Sequence, residues 1–129
     1  MSTVGIVLVS HSPKIADGLK DLLSQAVKNV AIATAGGTDE EEIGTSLEKI
    51  QQAIEKVHSD KGTLLLFDLG SSLMNAEMAV ELAEDDSIKI ADAPFVEGSY
   101  VAAVEAGMGK SLDEVLRAAE ETREQKKKQ

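Results

Sequence analysis

The sequence predicts one α/β domain, a mostly parallel four-stranded sheet in the order 2-1-3-4 with helices on both faces. Three observations predict it. The chain has 129 residues, 43% of them apolar, which suits a single core around a single sheet. Its strongest apolar runs, residues 4–9 and 64–67, show almost no polar alternation, the pattern of strands covered on both faces. Those runs alternate with segments of helical spacing in the order β-α-β-α-β-α-β-α-α, which right-handed crossovers turn into a parallel sheet. With the first strand central and the second and third on either side of it, the loops after strands one and three diverge and open a crevice. The domain is expected to occupy residues 1–125, with 126–129 as a short basic tail.

The first strand rests on Val4, Ile6, Val7, Leu8 and Val9 and stops near Ser10. Pro13 fixes φ and lacks an N–H, which suits the first turn of a helix, with Ser12 before it as N-cap. That helix, over 13–27, sets Ile15, Leu19, Leu22, Leu23 and Ala26 at helical spacing. Asn29 breaks the chain before a second strand over 30–35. The strand runs into Gly36-Gly37-Thr38, where glycine permits positive φ and close approach of a ligand. Thr38 or Asp39 is a candidate cap, with Glu40, Glu41 and Glu42 placed to favour a helix start through the dipole. Leu47, Ile50 and Ile54 share a face of the helical pattern over 43–57. Gly44, Thr45 and Ser46 move the expected start of that helix to Thr45 or Ser46 and leave 36–46 as a candidate substrate-facing loop.

Gly62 separates this helix from a third strand over 63–69. Ser71 or Ser72 can cap a third helix, on which Met74, Met78 and Leu82 are expected to pack. Asp85 and Asp86 end it. Ile88, Lys89 and Ile90 form a short fourth strand whose brevity and lysine mark a sheet edge. Gly98 is expected to interrupt the next segment, so a small-residue helix through Val101, Ala102, Val104 and Ala106 closes at Gly107 and Gly109. Ser111 and Glu114 fit a capping box that opens a last helix through Val115, Leu116 and Ala119.

Composition removes several classes of function. A formal net charge of −10 and an aromatic content of 2% leave neither the clustered cations nor the stacking surfaces that nucleic acid requires. The basic cluster Lys126, Lys127 and Lys128 is expected to be a solvated helix end. There is no cysteine, hence no disulfide and no thiolate metal site. No apolar run approaches the length of a membrane span, and Met1, Ser2 and Thr3 lead into the first strand without a basic leader, so a cytoplasmic protein is expected.

Three strand ends carry the residues capable of chemistry. His11 lies in the turn between the first strand and its helix, where free N–H groups and the dipole favour an anion. A neutral imidazole there can attack a phosphoryl group; it can equally be a turn residue. Attack needs one ring nitrogen unprotonated and the other held as a donor, and Asp68, at the end of the third strand, is the natural acceptor for that N–H. Gly37, Thr38, Gly70, Ser71 and Ser72 are candidates to bind the charged phosphoryl oxygens. Each has a plainer alternative: Asp68, Ser71 and Ser72 as helix caps, the glycines as turns. His58, beside Ser59, Asp60 and Lys61, is expected to be exposed and outside the site. No spacing of His and carboxylates matches a metal motif.

A P-loop module needs G-x-x-x-x-G-K-[ST], and neither glycine turn supplies the lysine. A receiver-type domain needs an acidic Mg²⁺ cluster after the first strand, where this chain has Ser10-His11-Ser12. A non-catalytic interaction domain stays open on these residues alone. The stretches GIVLVSHS, AGGTDEEEIGTS, LLLFDLGSSLMNAEMA and APFVEGSYVAA resemble, over nearly the whole chain, the DhaM family of phosphoenolpyruvate-dependent dihydroxyacetone kinases, itself part of the mannose-class IIA domains of sugar phosphotransferase systems. The resemblance implies a parallel α/β fold, a homodimer, and a phosphotransferase that works through phosphohistidine. His11 would take a phosphoryl group from the phosphocarrier HPr and pass it to ADP held by the DhaL subunit. The ATP so formed would phosphorylate dihydroxyacetone on DhaK, so the chain itself would bind no cofactor. Sugar-system IIA domains usually carry a Gly-Gly-Ser-Pro type turn where this chain has Leu69-Gly70-Ser71-Ser72, which favours the dihydroxyacetone branch over a mannose-class sugar IIA. Some members carry HPr-like and enzyme-I-like domains; here the donor is expected to be a separate protein.

Overall fold

A computed structural model describes residues 2–128. The elements follow in the order β1 (Gly5–Ser10), α1 (Pro13–Ala26), β2 (Ile32–Gly36), α2 (Leu47–Val57), β3 (Thr63–Phe67), α3 (Leu73–Ala83), β4 (Ile88–Ile90), α4 (Phe95–Gly107) and α5 (Leu112–Glu121). Short 3-10 turns at Gly70–Ser72 and Thr122–Glu124 precede α3 and follow α5. Every strand pairing is parallel and the order is β2-β1-β3-β4, as the sequence predicts.

β1 is central and fully buried, and its alternate residues serve two cores. Ile6 and Leu8 join Leu64 and Leu66 under Leu23, Ala102, Ala106 and Val115 from α1, α4 and α5. Val7 and Val9 join Leu65 and Ala33 against Ile50, Ala53 and Ala76 from α2 and α3. Each Val, Leu or Ile side chain so withdrawn from water contributes about 2 kcal/mol, each alanine less. Three helices start on serines whose side chains accept from the third helical N–H: Ser12 from Ile15, Ser46 from Lys49 and Ser111 from Glu114. Glu114 returns the bond to the Ser111 N–H and completes the capping box.

The register brings the site together. Ser10 lies opposite Gly36 on β2, and Val9 lies opposite Phe67 on β3. The next residues, Gly37 and Asp68, donate their backbone N–H groups to the carbonyls of Ser10 and Val9 at 3.0 and 3.1 Å. His11, Gly37 and Asp68 therefore leave the sheet at one level, at its carboxyl edge.

Several expectations from sequence are corrected. Glu40, Glu41 and Glu42 open no helix; they sit in the irregular 37–46 segment, because Ser46 takes the cap. In α3 the residues that pack are Ala76 and Ala79, while Met74, Met78 and Leu82 face solvent, Met78 at 45% exposure. Ala76 and Ala79, with the half-buried Val80, meet Ile50, Ala53 and Ile54 of α2 in the second core. Ile15 and Leu22 of α1 are likewise about half exposed, the packing face being Ala16, Leu19 and Leu23. Gly98 does not interrupt α4 but lies buried inside it, where a Cβ would come within 2.7 Å of the Ala93 side chain. The small residues Ala102, Ala103 and Ala106 of that helix pack inside the chain. Near the C-terminus, the exposed Lys127 pairs with Glu97 of α4. Among the described residues no helix is long and apolar enough to cross a membrane.

Candidate functional site

Asp68 follows the last residue of β3 and collects four donors. Its Oδ1 accepts from the His11 Nδ1 at 2.9 Å and from the Leu69 N–H at 2.6 Å. Its Oδ2 accepts from the Ser10 hydroxyl at 2.8 Å and from the His11 N–H at 3.0 Å. Burial pushes its pKa up, but the two backbone N–H bonds, with those from the His11 ring and the Ser10 hydroxyl, outweigh burial and hold the carboxyl below its ordinary value. The ionised carboxylate has no proton to give, so the facing His11 Nδ1 must carry one.

In the neutral ring this leaves the lone pair on Nε2. The Ser71 hydroxyl lies 2.8 Å from Nε2 and can only donate to it in that tautomer. His11 and Asp68 are mostly shielded, with side chains 20% and 13% exposed, while Gly70 and Ser71 stand in solvent. The imidazole is thus gripped at one nitrogen and open, past a mobile-proton hydroxyl, at the other. The Nε2 lone pair thus faces out of the sheet, the orientation that attack on an electrophile requires.

The remaining phosphate-binding candidates divide. Ser72 is buried, and both its N–H and its hydroxyl donate to the Leu69 carbonyl, at 2.9 and 2.7 Å, so it closes the 3-10 turn rather than facing His11. The Gly37 N–H is bonded to Ser10, and the Thr38 N–H to the Glu42 carbonyl at 2.9 Å. The Thr38 hydroxyl accepts from the Glu42 N–H at 3.2 Å. Gly37 instead serves geometry, with φ of 77° and a Cβ position that would fall 2.6 Å from Pro13. The 37–46 segment still reaches the site, since the Gly44 N–H donates to the His11 carbonyl at 2.9 Å. Ser10 escaped notice in the sequence, where its only signal is a hydroxyl ending an aliphatic run.

His58 is exposed, as expected, and it also bridges two elements. Its Nδ1 lies 2.7 Å from the buried Thr63 hydroxyl and its Nε2 lies 2.9 Å from Asp85. Among the described residues, no group of three or more His, Asp or Glu could hold a metal ion.

Fold, register and an oriented histidine at a strand end together fit a domain of the phosphotransferase-system IIA type. The family model described as EIIA-man, PTS system fructose IIA component, matches residues 5–116, and the chain belongs to this family. Within it, the relatives are DhaM subunits. "PTS-dependent dihydroxyacetone kinase, phosphotransferase subunit DhaM" of Lactococcus lactis is 44% identical over 107 residues, which cover 81% of this chain and 85% of that protein. The phosphoryl donor subunit DhaM of the PEP-dependent dihydroxyacetone kinase of Providencia stuartii is 38% identical over 98% of this chain, which spans only 28% of that longer relative. Among solved structures, a protein of unknown function is 34% identical with a TM-score of 0.87, covering 100% of this chain and 99% of its own.

Proposed function

We propose that this chain is the phosphohistidine relay of a dihydroxyacetone kinase: His11 accepts a phosphoryl group from phospho-HPr and yields it to ADP bound in a DhaL subunit, whose ATP serves DhaK. The observation that carries this reading is the polarity of the His11 ring, with Nδ1 held by Asp68 and Nε2 capped only by the exposed Ser71. In the forward step the Nε2 lone pair attacks phosphorus and the bond from phosphorus to the carrier breaks. The Nδ1 proton stays on the ring, where Asp68 stabilises the positive charge that develops. Ser71, displaced from Nε2, donates to a phosphoryl oxygen, as can the exposed amides of the Gly70 turn. In the return step an ADP oxygen attacks and the P–Nε2 bond breaks. The chain itself holds no cofactor, acts in the cytoplasm as a homodimer, and meets DhaK only through DhaL. The names of its relatives, phosphotransferase and phosphoryl donor subunits, support the phosphotransfer half of this account.

Incubation with radiolabelled phosphoenolpyruvate, enzyme I and HPr is expected to place an acid-labile label on the wild type and none on His11→Ala. Chasing with ADP-loaded DhaL should remove it. A label that persists in His11→Ala overturns the relay, and a label that HPr installs but DhaL does not remove points to a sugar-system IIA. Sedimentation at micromolar concentration tests the dimer.

A further inference from the structure

The last residue of β1 is a serine among aliphatic neighbours, and its side chain is fully buried. A lone hydroxyl in such a place needs partners, and this one has two with opposite polarity. It accepts from the Ser12 N–H at 3.0 Å and donates to Asp68 Oδ2 at 2.8 Å. The accepted bond fixes where the hydroxyl lone pair points, so its single proton is directed at the carboxylate. Ser12 is itself fixed as the cap of α1, accepting from Ile15. A continuous chain therefore runs from the first turn of α1 through Ser12, Ser10 and Asp68 to the His11 ring.

Asp68 needs that support. Its carboxylate can turn about χ2, and only one setting places Oδ1 against Nδ1 while Oδ2 meets the His11 N–H. Two of its four donors belong to His11 itself and one to the adjacent Leu69. Ser10 is thus the one donor that is independent of both the histidine and the turn that follows Asp68. We propose that Ser10 is a positioning residue for phosphoryl transfer, locking the Asp68 carboxylate in the rotation that keeps the His11 proton on Nδ1 and the lone pair on Nε2. This deepens the relay reading and rests on it.

The test separates the two. The tautomer is read on the unphosphorylated protein from the ¹⁵N shifts of the His11 ring, with no partner present, while labelling of the wild type decides the relay. Ser10→Ala is expected to keep the fold, move the ring from one defined tautomer towards a mixture, and slow single-turnover transfer on the order of ten-fold. In an Asp68→Asn background the same substitution should add less than about two-fold, since Ser10 acts through Asp68. A folded Ser10→Ala with wild-type ¹⁵N shifts and transfer rate overturns the proposal, and so does a full additional loss in the double variant. Should the alanine variant fail to fold, Ser10→Cys fills the same place with a much weaker donor. It is expected to shift the tautomer and rate in the same direction, and a folded Ser10→Cys indistinguishable from wild type on both also overturns it.

Discussion

Two histidine–aspartate pairs, each with an N···O distance of 2.9 Å, lie at opposite ends of the sheet. At the carboxyl end, His11 turns Nδ1 to Asp68 and leaves Nε2 to a serine hydroxyl on an exposed turn. At the amino end, His58 turns Nε2 to Asp85 and presses Nδ1 against Thr63, whose side chain is buried in the sheet. Both pairs orient an imidazole; only one leaves it something to do. On the proposed relay, the contrast means that a carboxylate partner does not by itself make a histidine reactive. What counts is whether the second nitrogen meets a group that can step aside, as Ser71 can and Thr63 cannot.

The largest expected effect is the asymmetry between the two rings. His11→Ala should lose all transfer, while His58→Ala should be phosphorylated within about two-fold of the wild-type rate. A His58 variant that is folded yet cannot be labelled breaks the contrast. Next, Asp68→Asn should slow single-turnover transfer on the order of 10²-fold or more with the fold retained, because the amide presents a donor where the ring needs an acceptor. Unchanged transfer rates would refute the orienting role.

Acid sharpens the comparison on stability. The Asp68 pKa is depressed in the folded chain, so its stabilising contribution is complete above the ordinary carboxyl value and is lost as pH falls through the lower, folded value. The gap in urea midpoint between wild type and Asp68→Asn should accordingly be constant near neutrality and close only below about pH 4. Asp85 is also held below its ordinary value, by side-chain and backbone bonds from Ser87 ahead of those from His58, so removing His58 should leave most of its acid response in place. His58→Ala should lower Tm by about 3–6 °C through the orphaned Thr63 hydroxyl, as a thermal melt would register. The last effect, similar in size and opposite in sign, concerns neither pair. The Ser99 hydroxyl of α4 is buried with no hydrogen-bond partner among the described residues, and Ser99→Ala should raise stability by about 1 kcal/mol in denaturant titration, with transfer untouched.

The sequence makes the strands and serine caps legible because each leaves a local mark. A strand buried on both faces must be aliphatic throughout, and Ser12 and Ser111 stand where helices need an acceptor, whereas the cap of α2 falls on Ser46 rather than on Thr38 or Asp39 and Ser72 makes no side-chain cap bond to α3. The packing face of α3 leaves no such mark. Ala76 and Ala79 are the residues buried, and the bulk at Met74 and Met78 points the periodicity the wrong way. At the site, His11 and Asp68 are visible as polar residues at strand ends that the predicted strand order brings together. What separates Ser71 from Ser72 is invisible in one dimension. The 3-10 turn sends one hydroxyl to the imidazole and the other to the Leu69 carbonyl, and that choice depends on a backbone conformation no spacing encodes.

Three of the four bonds onto Asp68 come from residues 57 or 58 positions earlier in the chain. An unfolded molecule therefore carries His11 and Asp68 as strangers, its ring in no fixed tautomer and its carboxyl solvated. On the proposed relay, phosphoryl flow through His11 is then a census of native molecules: a chain that has lost its register withdraws from the circuit without any separate signal, and draws nothing from the common phosphoryl supply while it is out.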